Sequence, residues 1–211
     1  MLIIKEVCVD TLKDAIEAEK NGADRIELCS RLDLEGLTPD KTLINNVTKN
    51  LKIPVRVMIR NIHKTFIYKK NDLKMMVEQI EYCKSVGVDG VVFGCIKENY
   101  NLDMSKINFL TEISKPLKVI IHKAIDETPK PLESLQMILK NKKINGILTS
   151  GGKKKALSSV KTLKKMLDLI TSDFELICAG GITYKNLSEL HSKVNGTYSV
   201  SYTHLTLPTK A

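Results

Sequence analysis

Glu6, Cys8 and Asp10 stand two apart near the start of the chain, and Glu27 and Cys29 repeat the carboxylate–thiol spacing further on. In an extended strand, residues two apart share a face. Each stretch would therefore show its carboxylate and thiol to one side while Val7, Val9, Ile26 and Leu28 face the other. Carboxylates exchange protons, and two thiolates on neighbouring strands suit a soft ion such as Cu(I). The same alternation places Arg56, Met58 and Arg60 together, and Ile120 with His122. A guanidinium holds anions, and an imidazole titrates near neutrality. Because a buried charge is costly unless paired, Glu6 and Glu27 are expected near Arg56 or Arg60. The plainer alternative is that the charges are ion pairs filling a protein centre and that the thiols are small buried apolar groups.

Two glycine pairs add a second kind of chemistry. Thr149-Ser150-Gly151-Gly152-Lys153 and Ala179-Gly180-Gly181-Ile182-Thr183 each follow a strand-like run. Ser150, Gly151, Gly152, Gly180 and Gly181 are candidates to present backbone N–H groups to a phosphate or other anion, with Lys153 adding charge. Tight turning alone is the alternative. Cys83 and Cys178 read as packing residues, and Cys95 could rim a site. Lys123 could form a Schiff base, but alternation turns it away from the other candidates. His63 lies in a polar loop and His191 on a helix.

The elements that must position these residues are legible from the punctuation. Gly22-Ala23-Asp24, Gly87-Val88-Asp89 and Lys143-Ile144-Asn145 each precede a β-branched or aliphatic run, as at a helix end followed by a strand. Pro54 and Pro116 precede two more. Strands are expected to start near residues 3, 25, 54, 89, 117, 145 and 175, with an eighth near Gly196-Thr197-Tyr198. Between them, Leu73, Met76, Val77, Ile80 and Cys83 line one helical face. Leu132, Leu135, Ile138 and Leu139 line another, as do Val160, Leu163, Leu167 and Ile170. Thr38-Pro39 and Thr128-Pro129 read as helix starts. The expected fold is an α/β, (β/α)8 TIM-type barrel over residues 1–198, with an open doubly wound sheet as runner-up. In the barrel the polar face of each strand points into the lumen. Residues 199–211 resemble translated adapter sequence, so they are expected to be a non-native tail replacing the last βα unit; His204 is excluded from any site.

Composition fits a single soluble domain. The chain has 211 residues, 43% of them hydrophobic, and a net charge of +9. The arginines are only Arg25, Arg31, Arg56 and Arg60, lysines are dispersed, and aromatics are not interleaved with them, so the charge reads as a solvated surface rather than a nucleic-acid site. No apolar run is long enough for a membrane span, and no signal peptide opens the chain. Five scattered cysteines suggest reduced thiols in the cytoplasm.

Taken together, Glu6-Val7-Cys8-Val9-Asp10, Gly22-Ala23-Asp24-Arg25-Ile26-Glu27-Leu28-Cys29, Gly36-Leu37-Thr38-Pro39, Val57-Met58-Ile59-Arg60, Asp89-Gly90-Val91-Val92-Phe93-Gly94, His122-Lys123-Ala124-Ile125-Asp126, Ile147-Leu148-Thr149-Ser150-Gly151 and Ala179-Gly180-Gly181-Ile182 resemble the CutC copper homeostasis family. The resemblance implies a cytoplasmic barrel, often a homo-oligomer, linked to copper handling, with Cys8 and Cys29 matching the family's proposed copper ligands. It also brings in Asp126. The chain departs from the pattern at Asn61-Ile62-His63 and at Lys123, where the family carries arginine, which weakens bidentate anion binding. Two readings follow. One is a Cu(I)-binding homeostasis protein. The other is a barrel enzyme acting on a small anionic or phosphorylated substrate, with Glu6 or Glu27 as base, His122 as acid, Arg60 as anion clamp and Asp126 as a further catalytic candidate.

Overall fold

The computed structural model describes residues 4–194 and 199–202. Eight parallel strands close in chain order into a barrel: β1 (Ile4–Val9), β2 (Arg25–Leu28), β3 (Val55–Met58), β4 (Gly90–Phe93), β5 (Lys118–Ile121), β6 (Gly146–Thr149), β7 (Glu175–Cys178) and β8 (Ser199–Tyr202). The first seven start within one residue of the expected positions. Helices α1 (Leu12–Lys20), α2 (Lys41–Asn50), α3 (Lys70–Val86), α4 (Met104–Ser114), α5 (Pro131–Ile138), α6 (Val160–Leu169) and α7 (Tyr184–Val194) alternate with them. None of the described helices is long and apolar enough to cross a membrane.

β8 lies beyond residue 198, where the sequence reading ends the barrel domain. Its backbone pairs with β7 through Ile177 opposite Ser199 and Cys178 opposite Val200. On its other side it pairs with β1, from Ile4 opposite Ser199 to Val7 opposite Tyr202. Unpaired edges on β1 and β7 would leave rows of unsatisfied N–H and C=O groups, and this short strand satisfies both. Residues 203–211, including His204, lie outside the described residues.

Alternation divides the apolar residues into two shells. Val7, Val9, Ile26, Leu28, Val55 and Val57 point outward and pack on the helices, joined by Met76, Ile80 and Cys83 of α3 and Leu163 and Met166 of α6. Cys8, Cys29, Met58, Val92, Ile120, Leu148, Ile177 and Ala179 form a separate inner cluster. Two helix starts differ from expectation. Asp40 caps α2 by accepting the Leu43 N–H at 2.7 Å, and α5 begins at Pro131. The threonines expected to cap are engaged elsewhere. Thr38 Oγ1 accepts the Arg60 N–H at 2.8 Å, and Thr128 donates to the Ile125 carbonyl at 2.7 Å.

The amino-terminal end of the lumen is filled by charge. Arg25 donates from Nε to Glu6 at 2.5 Å and from Nη2 to Glu175 at 2.6 Å. Arg56 donates from Nη1 to Glu175 at 2.8 Å and from Nε to Asp89 at 3.2 Å. Lys118 reaches Asp89 at 3.0 Å. Glu6, expected among the catalytic candidates, is 1% exposed and ion-paired within this network. The pairing offsets the cost of taking the carboxylate out of water. Glu27 does not join the network by any ion pair among the described residues.

Candidate site in the barrel lumen

The carboxyl ends of the strands open into a cavity of about 780 Å³. Cys8 comes from β1, and Cys29 follows the last residue of β2. Their sulfurs lie 3.4 Å apart and share one hydrogen bond. Glu27, whose Cα stands opposite that of Cys8 in the β1–β2 ladder, completes a buried trio whose ligand atoms lie within 4.8 Å of one another. The Glu27 Oε1 has no hydrogen-bond partner among the described residues. Burial, and then the nearby Glu6 carboxylate, push the Glu27 carboxyl up to about 8. The Cys8 thiol is raised by its hydrogen bond with Cys29 and by burial. For Cys29 the hydrogen bond from Cys8 pulls downward, but burial and the Glu27 carboxylate outweigh it, and the net shift is upward. All three groups are thus pushed toward their protonated forms.

That donor set fits a soft metal ion. Two sulfurs 3.4 Å apart can both be reached from one ion position by metal–sulfur bonds of about 2.3 Å. Bound there, the ion would replace the thiol protons, and Glu27 supplies an adjacent carboxylate oxygen that no other group engages.

Another part of the cavity wall is basic and aromatic. The Arg60 guanidinium carbon sits 4.6 Å from the centre of the Phe66 ring, and that ring lies 4.6 Å from the His122 imidazole. His122 Nδ1 accepts the Ala124 N–H at 3.2 Å, which assigns the ring proton to Nε2. Nε2 is buried and has no partner among the described residues. Burial, then the Arg60 charge, lower His122 to about 3. A neutral imidazole with its proton on Nε2 is a hydrogen-bond donor.

Asp126 reaches the cavity but is fully engaged. Its oxygens accept from the Thr149 hydroxyl at 2.5 Å, the Ser150 N–H at 2.8 Å, the Ser150 hydroxyl at 2.9 Å and the Gly152 N–H at 2.7 Å. The Gly151 N–H goes to Thr149 Oγ1 at 2.9 Å. The donors of Ser150, Gly151 and Gly152 expected to cradle an anion are thus occupied by the protein's own carboxylate and hydroxyl. Asp126 thus ties this loop together. Gly180 and Gly181 border the cavity, and Gly180 has a packing reason: at φ +93° a Cβ would stand 2.9 Å from the Lys154 carbonyl.

Other expectations resolve locally. Lys123 lines the cavity, because the strand ends at Ile121 and a short 3₁₀ turn, Lys123–Glu127, breaks the alternation that turned it away. Cys95 does not rim the site. It is buried in the outer shell with Cys83 and Cys178, and burial pushes each thiol to about 12. The sequence reading missed Phe66, which stands with Ile67 and Tyr68 in the loop after β3. It also missed Arg25 and Glu175, although both share the inward parity of Glu27 and Ile177.

A closed ring of parallel strands with a polar site at their carboxyl ends defines a TIM-type barrel. The sequence profile of the CutC family matches residues 3–207, and the chain belongs to that family. It is 35% identical over 187 residues to a human protein described as a copper homeostasis protein cutC homolog, spanning 89% of this chain and 68% of the relative. It is 35% identical over 195 residues to a family protein CutC of Aliivibrio fischeri, spanning 92% and 78%. A crystal structure described as the copper homeostasis protein CutC of Streptococcus agalactiae superposes with a TM-score of 0.90 at 26% identity, covering 97% of this chain and all of that one.

Proposed function

We propose that this protein binds Cu(I) between Cys8 and Cys29 as part of copper homeostasis, with Glu27 as the neighbouring carboxylate. The observation that carries this reading is the 3.4 Å approach of two buried sulfurs from different strands at the floor of an open cavity. Thiolates prefer soft monovalent copper to harder divalent ions. The names carried by the human and bacterial relatives agree with it. A Cys8→Ser, Cys29→Ser double variant, set against a chromophoric Cu(I) chelator, is expected to lose Cu(I) at chelator concentrations where the wild type retains it. Equal retention would overturn the reading.

A second reading is favoured by Glu27, a carboxyl with a strongly raised pKa facing a cavity. Here the barrel is an enzyme for a small anionic substrate, Glu27 transfers the proton, and neutral His122 polarises the group that gains charge. Screening small phosphate and carboxylate compounds for Glu27-dependent turnover tests it. Turnover undiminished in Glu27→Gln would exclude that assignment.

A further inference from the structure

We infer that the Nε–Nη2 edge of Arg60 anchors a small oxyanion ligand, a carboxylate or a phosphate monoester, with the His122 Nε2–H as the second donor. The other three arginines all turn Nε to a carboxylate: Arg25 to Glu6, Arg56 to Asp89, and Arg31 to Asp33 through both Nε and Nη2 at 2.8 Å. Arg60 departs from this. It is 4% exposed, and its hydrogen bonds run from Nη1 to the Leu34, Glu35 and Gly36 carbonyls at 3.2–3.3 Å. Its Nε is buried without a partner, and no carboxylate comes within 4.0 Å of the guanidinium among the described residues.

Three carbonyl contacts fix the plane of the group but do not neutralise its charge. A guanidinium removed from water with no carboxylate in contact is an unfinished interaction, and an oxyanion completes it. The free edge is the one that binds a planar carboxylate or two phosphate oxygens in parallel, as Arg31 does with Asp33. His122, 3% exposed and orphaned at Nε2, also packs on the Phe66 ring and lines the same cavity. The cavity's own acids do not fill the role: Asp126 is engaged by the Thr149–Gly152 loop, and Glu35 and Glu127 form no ion pair with Arg60 among the described residues. Lys123, Lys153 and Lys154 border the cavity and add attraction for an anion.

This inference rests on the enzyme reading's view that the cavity takes a small anion near His122, and adds Arg60 as the group that anchors it. Binding without turnover would leave it standing and remove the catalytic claim. The test is titration of the full chain, labelled with ¹⁵N, with inorganic phosphate and separately with malonate at constant ionic strength, following the four arginine Nε–H resonances. At least one of the two anions is expected to shift the Arg60 resonance saturably, in the millimolar range or tighter. Arg60→Lys and His122→Phe are each expected to weaken binding about tenfold or more. A response to phosphate alone assigns a phosphoryl ligand, and a response to malonate alone a carboxylate. No saturable shift with either anion in the wild type, or undiminished affinity in folded Arg60→Lys, would overturn the inference. The wild-type spectrum decides the matter even where a variant fails to fold.

Discussion

The Cys8 sulfur stands 3.4 Å from the Cys29 sulfur, and both thiols are held above their ordinary pKa. A metal ion entering this pair must displace two protons from groups that keep them at neutral pH. Cu(I) affinity is therefore expected to climb as pH rises from 6 to 8, by up to about a hundredfold per unit while both protons are released. Chelator competition across that range measures the slope. A pH-independent affinity would show that the thiols are not the ligands.

Glu27 gives a prediction about stability. Its folded-state pKa of about 8 lies above the unfolded value of about 4.3, so between those limits the folded chain holds the extra proton. Stability from this group is present at low pH and falls as pH rises through the window. Glu27→Gln is expected to flatten that decline and to be more stable than the wild type at pH 8 and above, by on the order of 3 kcal/mol. Urea unfolding at pH 5 and pH 8.5 gives the two differences to compare.

Arg25 bridges Glu6 and Glu175 at the closed end of the lumen. Arg25→Met leaves Glu6 buried with only Arg56, at 3.8 Å, for compensation. The expected loss is about 3–5 kcal/mol in urea unfolding. Adding Glu6→Gln should recover part of it, because the uncompensated charge is then gone. Cu(I) binding, at the other end of the barrel, should be preserved in any folded variant.

The fold was legible because its signals are local and repeated. Gly87 ends α3 in the left-handed conformation, as its place before Val88-Asp89 suggests, and strand alternation separates Val7 and Val9 from Cys8 correctly. The Cys8–Cys29 meeting followed from the same alternation. What alternation could not supply was depth along the barrel axis. Glu6 and Glu27 share a parity, yet one sits in a cage of arginines and the other beside the thiols. Loops obey no period either, so nothing local marked Asp126 as the partner of the Thr149–Gly152 turn or Phe66 as the ring between Arg60 and His122.

The four residues of β8 touch both the first and the seventh strand, and so decide whether the sheet has a beginning and an end. A cylinder offers no rung on which a foreign strand can settle, whereas an opened one offers two. Resistance to stacking with copies of itself thus hangs on a tetrapeptide remote in sequence from Cys8, Cys29, Arg60 and His122.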